Sequence, residues 1–269
     1  EKPQSVRHSV HDLTSGNAKK LADLLNLIRS TAAPGTWRAA DAGRIEVVEH
    51  DLTIQHTYRG QQAVATLLAK LRAARAENIL AAGADRSALT TRYAQARPNL
   101  AKTVTLVFSI PTPLTTILRR LEQETQTVIL VDWHALALEG VGDATEATLV
   151  ATAQPLEQAL AALVEPLDLA CRVVNQRTLV ITTPEQLEED LELEVYPLGD
   201  LASSADTAES LIAGLKKQLG EDRFHEGGRA VLHYDAQSRA LVVLDNQNGQ
   251  ISLEKALTAE RARLGQKNP

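Results

Sequence analysis

Apolar residues recur along this chain at the spacing of amphipathic helices, and the helices they predict come at nearly constant intervals. Residues at i, i+3, i+4 and i+7 lie on one helical face, so each such group predicts a helix packed on a core. The two members of each successive pair begin 43, 42 and 45 positions apart. This interval predicts one supersecondary plan used three times. The groups lie at 21–28, 64–71, 114–121, 156–163, 208–215 and 253–257.

Strand-like runs lie between the predicted helices. Residues 104–110 alternate apolar and polar side chains through Ile110, which predicts a strand that covers a core with one face. Residues 169–182 predict a hairpin that turns at 175–177. We therefore predict an α+β fold of three small βαββα-type modules in tandem, the middle one with an extra C-terminal hairpin. The other strand-like runs lie at 45–54, 128–131 and 230–244.

Polar or small-residue stretches interrupt the pattern and predict the domain boundaries. We place the three modules at 1–76, 102–184 and 192–269. The linkers between them are predicted at 77–101, which ends in a proline-containing segment, and at the acidic stretch 185–191.

The first and third modules match each other at fixed offsets. Equivalent residues are 187 positions apart from the first helix to the aromatic residue, and 189 positions apart in the last strand and helix. A hairpin turn of the third module must therefore contain two additional residues. The match includes one aromatic and one glycine as well as aliphatic residues, which indicates an internal duplication around a different middle module. The matched pairs are Leu24/Leu211, Leu25/Ile212, Ile28/Leu215, Trp37/Phe224, Leu52/Leu241, Ile54/Val243, Gly60/Gly249, Val64/Leu253 and Leu68/Leu257.

Composition excludes several classes of protein. The net charge of −6 without a basic cluster argues against nucleic acid as partner, and an aromatic content of 3% leaves few stacking platforms. The sequence contains no stretch of about 18 apolar residues, so no transmembrane helix is predicted. Cys171 is the single cysteine, which excludes an internal disulfide. The sequence has no methionine and opens with Glu1, so we expect a processed product that has lost a signal peptide.

The middle segment resembles the secretin and TonB N-terminal short domain (STN). The resemblance covers roughly 80 residues, in the order of a strand, a Pro-Leu helix start, an Ile-Val strand, a second Pro-Leu helix and a closing hairpin. Its motifs are Phe108-Ser-Ile-Pro-Thr-Pro-Leu114, Val128-Ile-Leu-Val-Asp-Trp133, Ala153-Gln-Pro-Leu-Glu-Gln-Ala-Leu160, Leu163-Val-Glu-Pro-Leu167 and Leu179-Val-Ile-Thr-Thr183.

The outer modules resemble the short repeated N-domains of secretin periplasmic regions. Val195-Tyr-Pro-Leu-Gly-Asp-Leu201 and Val10-His-Asp-Leu13 are similar to the opening strand of those domains. Together the resemblances imply small modules that act by docking in the periplasm or elsewhere in the bacterial envelope. They imply no catalytic residues.

Histidines are the first candidates for chemistry. His50 and His56 flank a predicted strand at even spacing, so both are expected on the face of Leu52 and Ile54. A metal site there would need a third ligand, and no His-Glu-x-x-His pattern is present, so surface or strand-end histidines are the simpler interpretation. The nearby candidates for a third ligand are His8, His11 and Asp51.

Three other features allow a chemical and a structural interpretation. Asp132 and His134 share one face of a strand and suit general-base chemistry, whereas the structural alternative is a turn beside a packed Trp133. Cys171 lies between apolar neighbours and is expected to act as a small buried hydrophobe. The acidic run 185–194 lacks the spacing of an EF-hand and is expected to be a solvated linker. No residue is therefore assigned a catalytic, cofactor-binding or metal-binding role, and no cofactor is expected.

These observations favour a non-catalytic, exported protein that makes protein–protein contacts or assembles in the envelope, by partner binding or self-association through sheet edges. One alternative is an STN-type signalling module that binds an envelope regulator. Another, from a different class, is a metal-dependent hydrolase that uses the histidines. The sequence names neither the partner nor the pathway.

Overall fold

A computed structural model describes residues 2–38, 43–79, 89–202, 204–224 and 229–265. The fold is mixed α+β, as predicted. The chain forms two compact units. Unit 1 gathers the two outer modules, and unit 2 holds the middle one. Unit 1 comprises Glu1–Leu89, Glu192–Asp245 and Ser252–Pro269, and unit 2 comprises Thr90–Leu191 and Asn246–Ile251. The division into three separate domains stays a prediction.

The first repeat of unit 1 is a small antiparallel sheet with two main helices. Strand β3 lies between β1 and β2, and Leu52 and Ile54 on one face of β3 are fully buried. A short 3-10 turn at Thr36–Arg38 carries Trp37. The elements are β1 (Gln4–Ser9), α1 (His11–Thr14), α2 (Ala18–Thr31), β2 (Arg44–Val48), β3 (Asp51–His56) and α3 (Tyr58–Ile79).

Unit 2 has two sheets whose buried side chains share one core with its helices. Strands β4 and β6 pair as an antiparallel ribbon, whereas β8 lies between a parallel β5 and an antiparallel β7. Both sheets and helices α5 and α7 contribute to the core. The elements are α4 (Arg92–Leu100), β4 (Thr103–Pro113), α5 (Leu114–Thr125), β5 (Val128–Val131), α6 (Trp133–Leu138), β6 (Glu146–Pro155), α7 (Leu156–Val164), β7 (Ala170–Val173), β8 (Thr178–Thr182) and α8 (Pro184–Glu189).

The second repeat of unit 1 has the element order of the first, except that it has no counterpart of α1 in the described residues. Its strand order places β11 between β9 and β10, as β3 lies between β1 and β2. The matched residues Leu241 and Val243 are buried like Leu52 and Ile54, so the predicted correspondence is confirmed at these positions. The elements are β9 (Leu191–Pro197), α9 (Ala205–Leu219), β10 (Val231–Asp235), β11 (Ala240–Asn246) and α10 (Gln247–Gly265).

The two repeats of unit 1 stack on each other, which the sequence did not predict. Val195 and Val242, on the outer face of the second sheet, lie in one core with Leu24 of α2 and Leu71 of α3. On the other side of β11, Val243 packs with α9 and α10. The outer face of the second sheet is therefore covered by helices of the first repeat.

The second face of the first sheet is polar. Asp51 and Thr53 are half-buried and Gln55 is exposed, on the side of β3 opposite Leu52 and Ile54. This agrees with the alternation in the sequence.

Both segments predicted as linkers contain regular structure. Helix α4 lies within 77–101, and its Ala96 and Leu100 belong to the core of unit 2. Helix α8 covers most of 185–191. Thr183 caps its N-terminus, since the Thr183 hydroxyl accepts the Gln186 N–H at 3.2 Å. Part of the first segment, 80–88, lies outside the described residues.

Candidate protein interaction surface

The ribbon formed by β4 and β6 has one buried and one open face. Leu106 and Leu149 are buried in the core of unit 2. On the opposite face Val107 lies directly across from Val150, and these side chains are 63% and 61% exposed. The two valines therefore form an exposed apolar pair on the open face of the ribbon.

Irregularities in the ribbon follow from its sequence. Ala153 has a φ of +49° and its N–H donates to the Thr105 hydroxyl at 3.1 Å, where β6 holds one additional residue. Between Phe108 and Thr112, β4 holds two additional residues. This shift interrupts the predicted alternation, so Ile110 is 71% exposed rather than part of the core.

The ribbon carries almost no charge. Residues 103–113 contain no ionisable side chain, and in β6 Glu146 alone is charged. The exposed positions of its open face are hydroxyl or β-branched residues. They are Thr103, Thr105, Val107, Ser109, Thr148, Val150 and Thr152.

The three-stranded sheet of unit 2 is protected at both edges by side chains. On β5, the Ile129 N–H donates to the Glu122 carboxylate at 2.7 Å. On β7, the Val173 N–H donates to Gln247 Oε1 at 2.6 Å, and Gln247 Nε2 donates to the Cys171 carbonyl at 3.1 Å. These side chains occupy backbone groups that an added strand would need.

The edge strands of unit 1 carry charges instead. On β1, Arg7 Nε lies 2.8 Å from Asp51 Oδ2, and on β2, Arg44 Nε lies 3.0 Å from Glu46 Oε1. In the second repeat β10 carries Asp235. Charged side chains at an edge discourage pairing with another chain.

The ribbon therefore differs from the other sheets in the described ranges. Neither β4 nor β6 pairs with a third strand there, and no side chain of another element caps either edge in the way Glu122 and Gln247 do. The sequence predicts contacts through sheet edges but does not by itself distinguish β4 and β6 from the other strands. The uncharged run 103–113 was the signal that could have identified them.

The histidine pair does not converge on one site. His56 is buried, its Nδ1 accepts the Thr57 N–H at 2.9 Å, and its Nε2 lies 2.8 Å from the Thr36 hydroxyl. His50 is exposed in the turn between β2 and β3, with its ring 5.5 Å from that of His11, so its expected place on the core face is wrong. Across the described residues, no three His, Cys, Asp or Glu side chains come close enough to hold a metal ion.

The Asp132–His134 segment is the start of a short helix. Asp132 Oδ1 accepts the Ala135 N–H at 3.1 Å and so caps α6. His134 is exposed, and Trp133 is 39% exposed beside it. The structural alternative expected a turn and a packed Trp133, and both details are wrong, since the segment is helical and Trp133 is exposed.

Cys171 lies on β7 against the core of unit 2. Burial, and secondarily the charge of Glu157, raise the pKa of its thiol to about 12. A thiol with that pKa is neutral near pH 7 and is a poor nucleophile.

Comparison with known proteins adds little to these observations. No protein-family model matches the sequence, and no curated protein matches it. Among solved structures, the chain is similar to the GspC–GspD complex from the type II secretion system of enterotoxigenic Escherichia coli. The identity is 15%, the match covers 61% of this chain and 98% of that chain, and the TM-score is 0.22. Within the described residues, no helix combines the length and hydropathy needed to cross a bilayer.

Proposed function

We propose that this chain is a non-catalytic protein–protein interaction protein that binds a partner strand at the ribbon of β4 and β6. The observation that carries the proposal is the directly opposed, exposed pair Val107 and Val150, on a ribbon with a single charge whose edges no side chain caps within the described ranges.

Strand addition suits this geometry. An edge strand offers a row of N–H and C=O groups, and an added strand satisfies them while its side chains pack beside those already on the face. Side chains of the new strand would then lie beside the two valines on the side of the ribbon where that strand is added. Because the contact is narrow and polar around the valines, we expect micromolar affinity, as is typical of small interfaces.

The proposal includes an envelope location and the absence of catalysis. The location is supported by the resemblance of residues 102–184 to the STN domain. The absence of catalysis is supported by the roles of the candidate residues, since Asp132 caps a helix, His56 is hydrogen-bonded inside unit 1 and the pKa of Cys171 is raised.

The test compares three forms of the full chain as bait in envelope extract. The double variant Val107→Lys/Val150→Lys places charges on the open face of the ribbon, and Gln55→Lys places one on the exposed polar face of the first sheet as a matched control. We expect proteins captured by the unaltered chain and by Gln55→Lys to be lost from the double variant. Equal capture by all three forms would contradict a role for the ribbon.

A further inference from the structure

We propose that a second copy of this chain pairs with the free edge of β6, so that two ribbons join into one four-stranded antiparallel sheet. This inference rests on the proposed function of the ribbon and adds the identity of the partner.

The free edge of β6 is the more regular of the two. In β4, Pro111 and Pro113 lack the N–H that an added strand would use, and two additional residues disturb the strand between Phe108 and Thr112. In β6, no proline and no additional residue occurs between Glu146 and the irregularity at Ala153. A new strand therefore finds a longer regular edge on β6.

The sequence of β6 is complementary to itself in the antiparallel direction. A two-fold axis at Val150 places that residue opposite Val150 of the second copy and Thr148 opposite Thr152. The irregularity at Ala153 ends this register after Thr152, and Glu146, the single charge in β6, lies outside the paired stretch 148–152. Like charges directly opposite each other destabilise a sheet, whereas β-branched and threonine pairs stabilise it. Self-pairing in this register opposes no like charges.

The same axis fixes how the exposed valines are arranged. The two copies of Val150 are direct neighbours, with Cβ atoms roughly 5 Å apart. The two copies of Val107 lie on the outer strands of the joined sheet, about 14 Å apart across three strand spacings. Val107 and Val150 are equally exposed in the single chain, but in the dimer only Val150 lies beside its own copy.

This difference supplies the experiment. Val150→Cys and Val107→Cys are each made in the full chain on a Cys171→Ala background, and disulfide formation is followed under mild oxidant across a concentration series. We expect Val150→Cys to form a covalent dimer at least about tenfold faster than Val107→Cys, because only the former meets the Cα separation that a disulfide needs. Faster crosslinking of Val107→Cys would overturn the inference in favour of pairing through β4.

A second measurement does not depend on cysteine chemistry. Val150→Lys and Val150→Glu should each sediment as monomers at concentrations where the unaltered chain associates, and an equimolar mixture should regain the association. Absence of association by the unaltered chain at high concentration would overturn the second-copy inference. Ribbon-dependent capture of another protein would in that case still support the proposed function, so the two failures are distinguishable.

Discussion

Arg72 of α3 holds Asp12 of α1 through two hydrogen bonds: its Nε donates to Oδ2 at 2.6 Å and its Nη2 donates to Oδ1 at 3.1 Å. The same Nη2 also donates to the Ser9 carbonyl at 2.6 Å. In the second repeat, Arg261 makes the same set of bonds to Asp200 and to the Pro197 carbonyl. A planar guanidinium that binds a carboxylate and a strand end fixes the helix to the strand in both repeats.

The first prediction concerns this repeated contact. Arg72→Met should lower the free energy of unfolding of unit 1 by about 1 kcal/mol, since the ion pair is partly exposed but also holds a backbone carbonyl. A double-mutant cycle with Asp12→Asn should give a coupling energy of the same order. Independent effects of the two changes, measured by denaturant unfolding, would show that the pair does not fix the helix to the strand.

A second prediction concerns the pH dependence of unit 1. Burial lowers the pKa of His56 below its ordinary value, and burial likewise lowers the pKa of His233 despite two nearby carboxylates. The unfolded chain then binds more protons than the folded chain just below about pH 6.5, so stability must fall as the pH drops through that window.

The hydrogen bonds of the His56 ring favour its neutral form, as burial does. Nδ1 accepts the Thr57 N–H, so the neutral ring carries its proton on Nε2 and donates to the Thr36 hydroxyl. A second proton on Nδ1 would remove an acceptor from a buried N–H. His56→Gln should reduce the slope of unfolding free energy against pH between about pH 5 and 6.5, compared with the unaltered chain. A slope equal to that of the unaltered chain would contradict the assignment.

A third prediction tests Trp37, whose Nε1–H donates to the Ala32 carbonyl at 2.8 Å and whose ring packs edge-on against that of His56, with 4.7 Å between the ring centroids. Trp37→Ala should destabilise unit 1 by about 2–3 kcal/mol, below the range for fully buried aromatics because the ring is half-buried. The matched control is Trp133→Ala, since Trp133 is more exposed and should cost less than about 1 kcal/mol. Thermal unfolding of both variants measures the difference, and equal small losses would show that Trp37 does not support the core.

A fourth prediction tests the stacking of the repeats. Lys70 Nζ of the first repeat lies 2.5 Å from Glu194 Oε2 of the second, and the Glu194 side chain is 2% exposed. Lys70→Met would remove a cation from a buried carboxylate, which should cost about 3 kcal/mol. Adding Glu194→Gln removes that charge and should recover most of the loss. A double variant no more stable than Lys70→Met would contradict a direct electrostatic role for the pair.

The helices and the duplication could be predicted because each depends on local spacing. Matched pairs such as Ile54 and Val243 keep equivalent places since both repeats place the same face of a strand on their own helices. The stacking of repeats escaped prediction, although the sequence held a signal. Strand β3 alternates polar and apolar residues, whereas β11 reads Leu241-Val-Val-Leu244, and a continuous apolar run is typical of a strand buried on both faces.

The candidate site was less predictable than the fold. The sequence indicated contacts through edges, but the edge caps provided by Glu122 and Gln247 join residues 7 and 74 positions apart in the chain. Whether an edge strand is free to pair depends on such side chains of other elements, which the sequence of the strand itself does not show. The position of Ile110 likewise depended on a register shift that alternation alone does not reveal.

Amide hydrogen exchange of the full chain, dilute and then associated with a second copy or with a captured partner, tests the central claim most directly. We expect the amides of β6, between 146 and 154, to exchange more slowly in the associated state, because an added strand occupies the free edge of β6. Protection that develops on β1, β2 or α9 while the ribbon exchanges unchanged would contradict the ribbon as the site of contact.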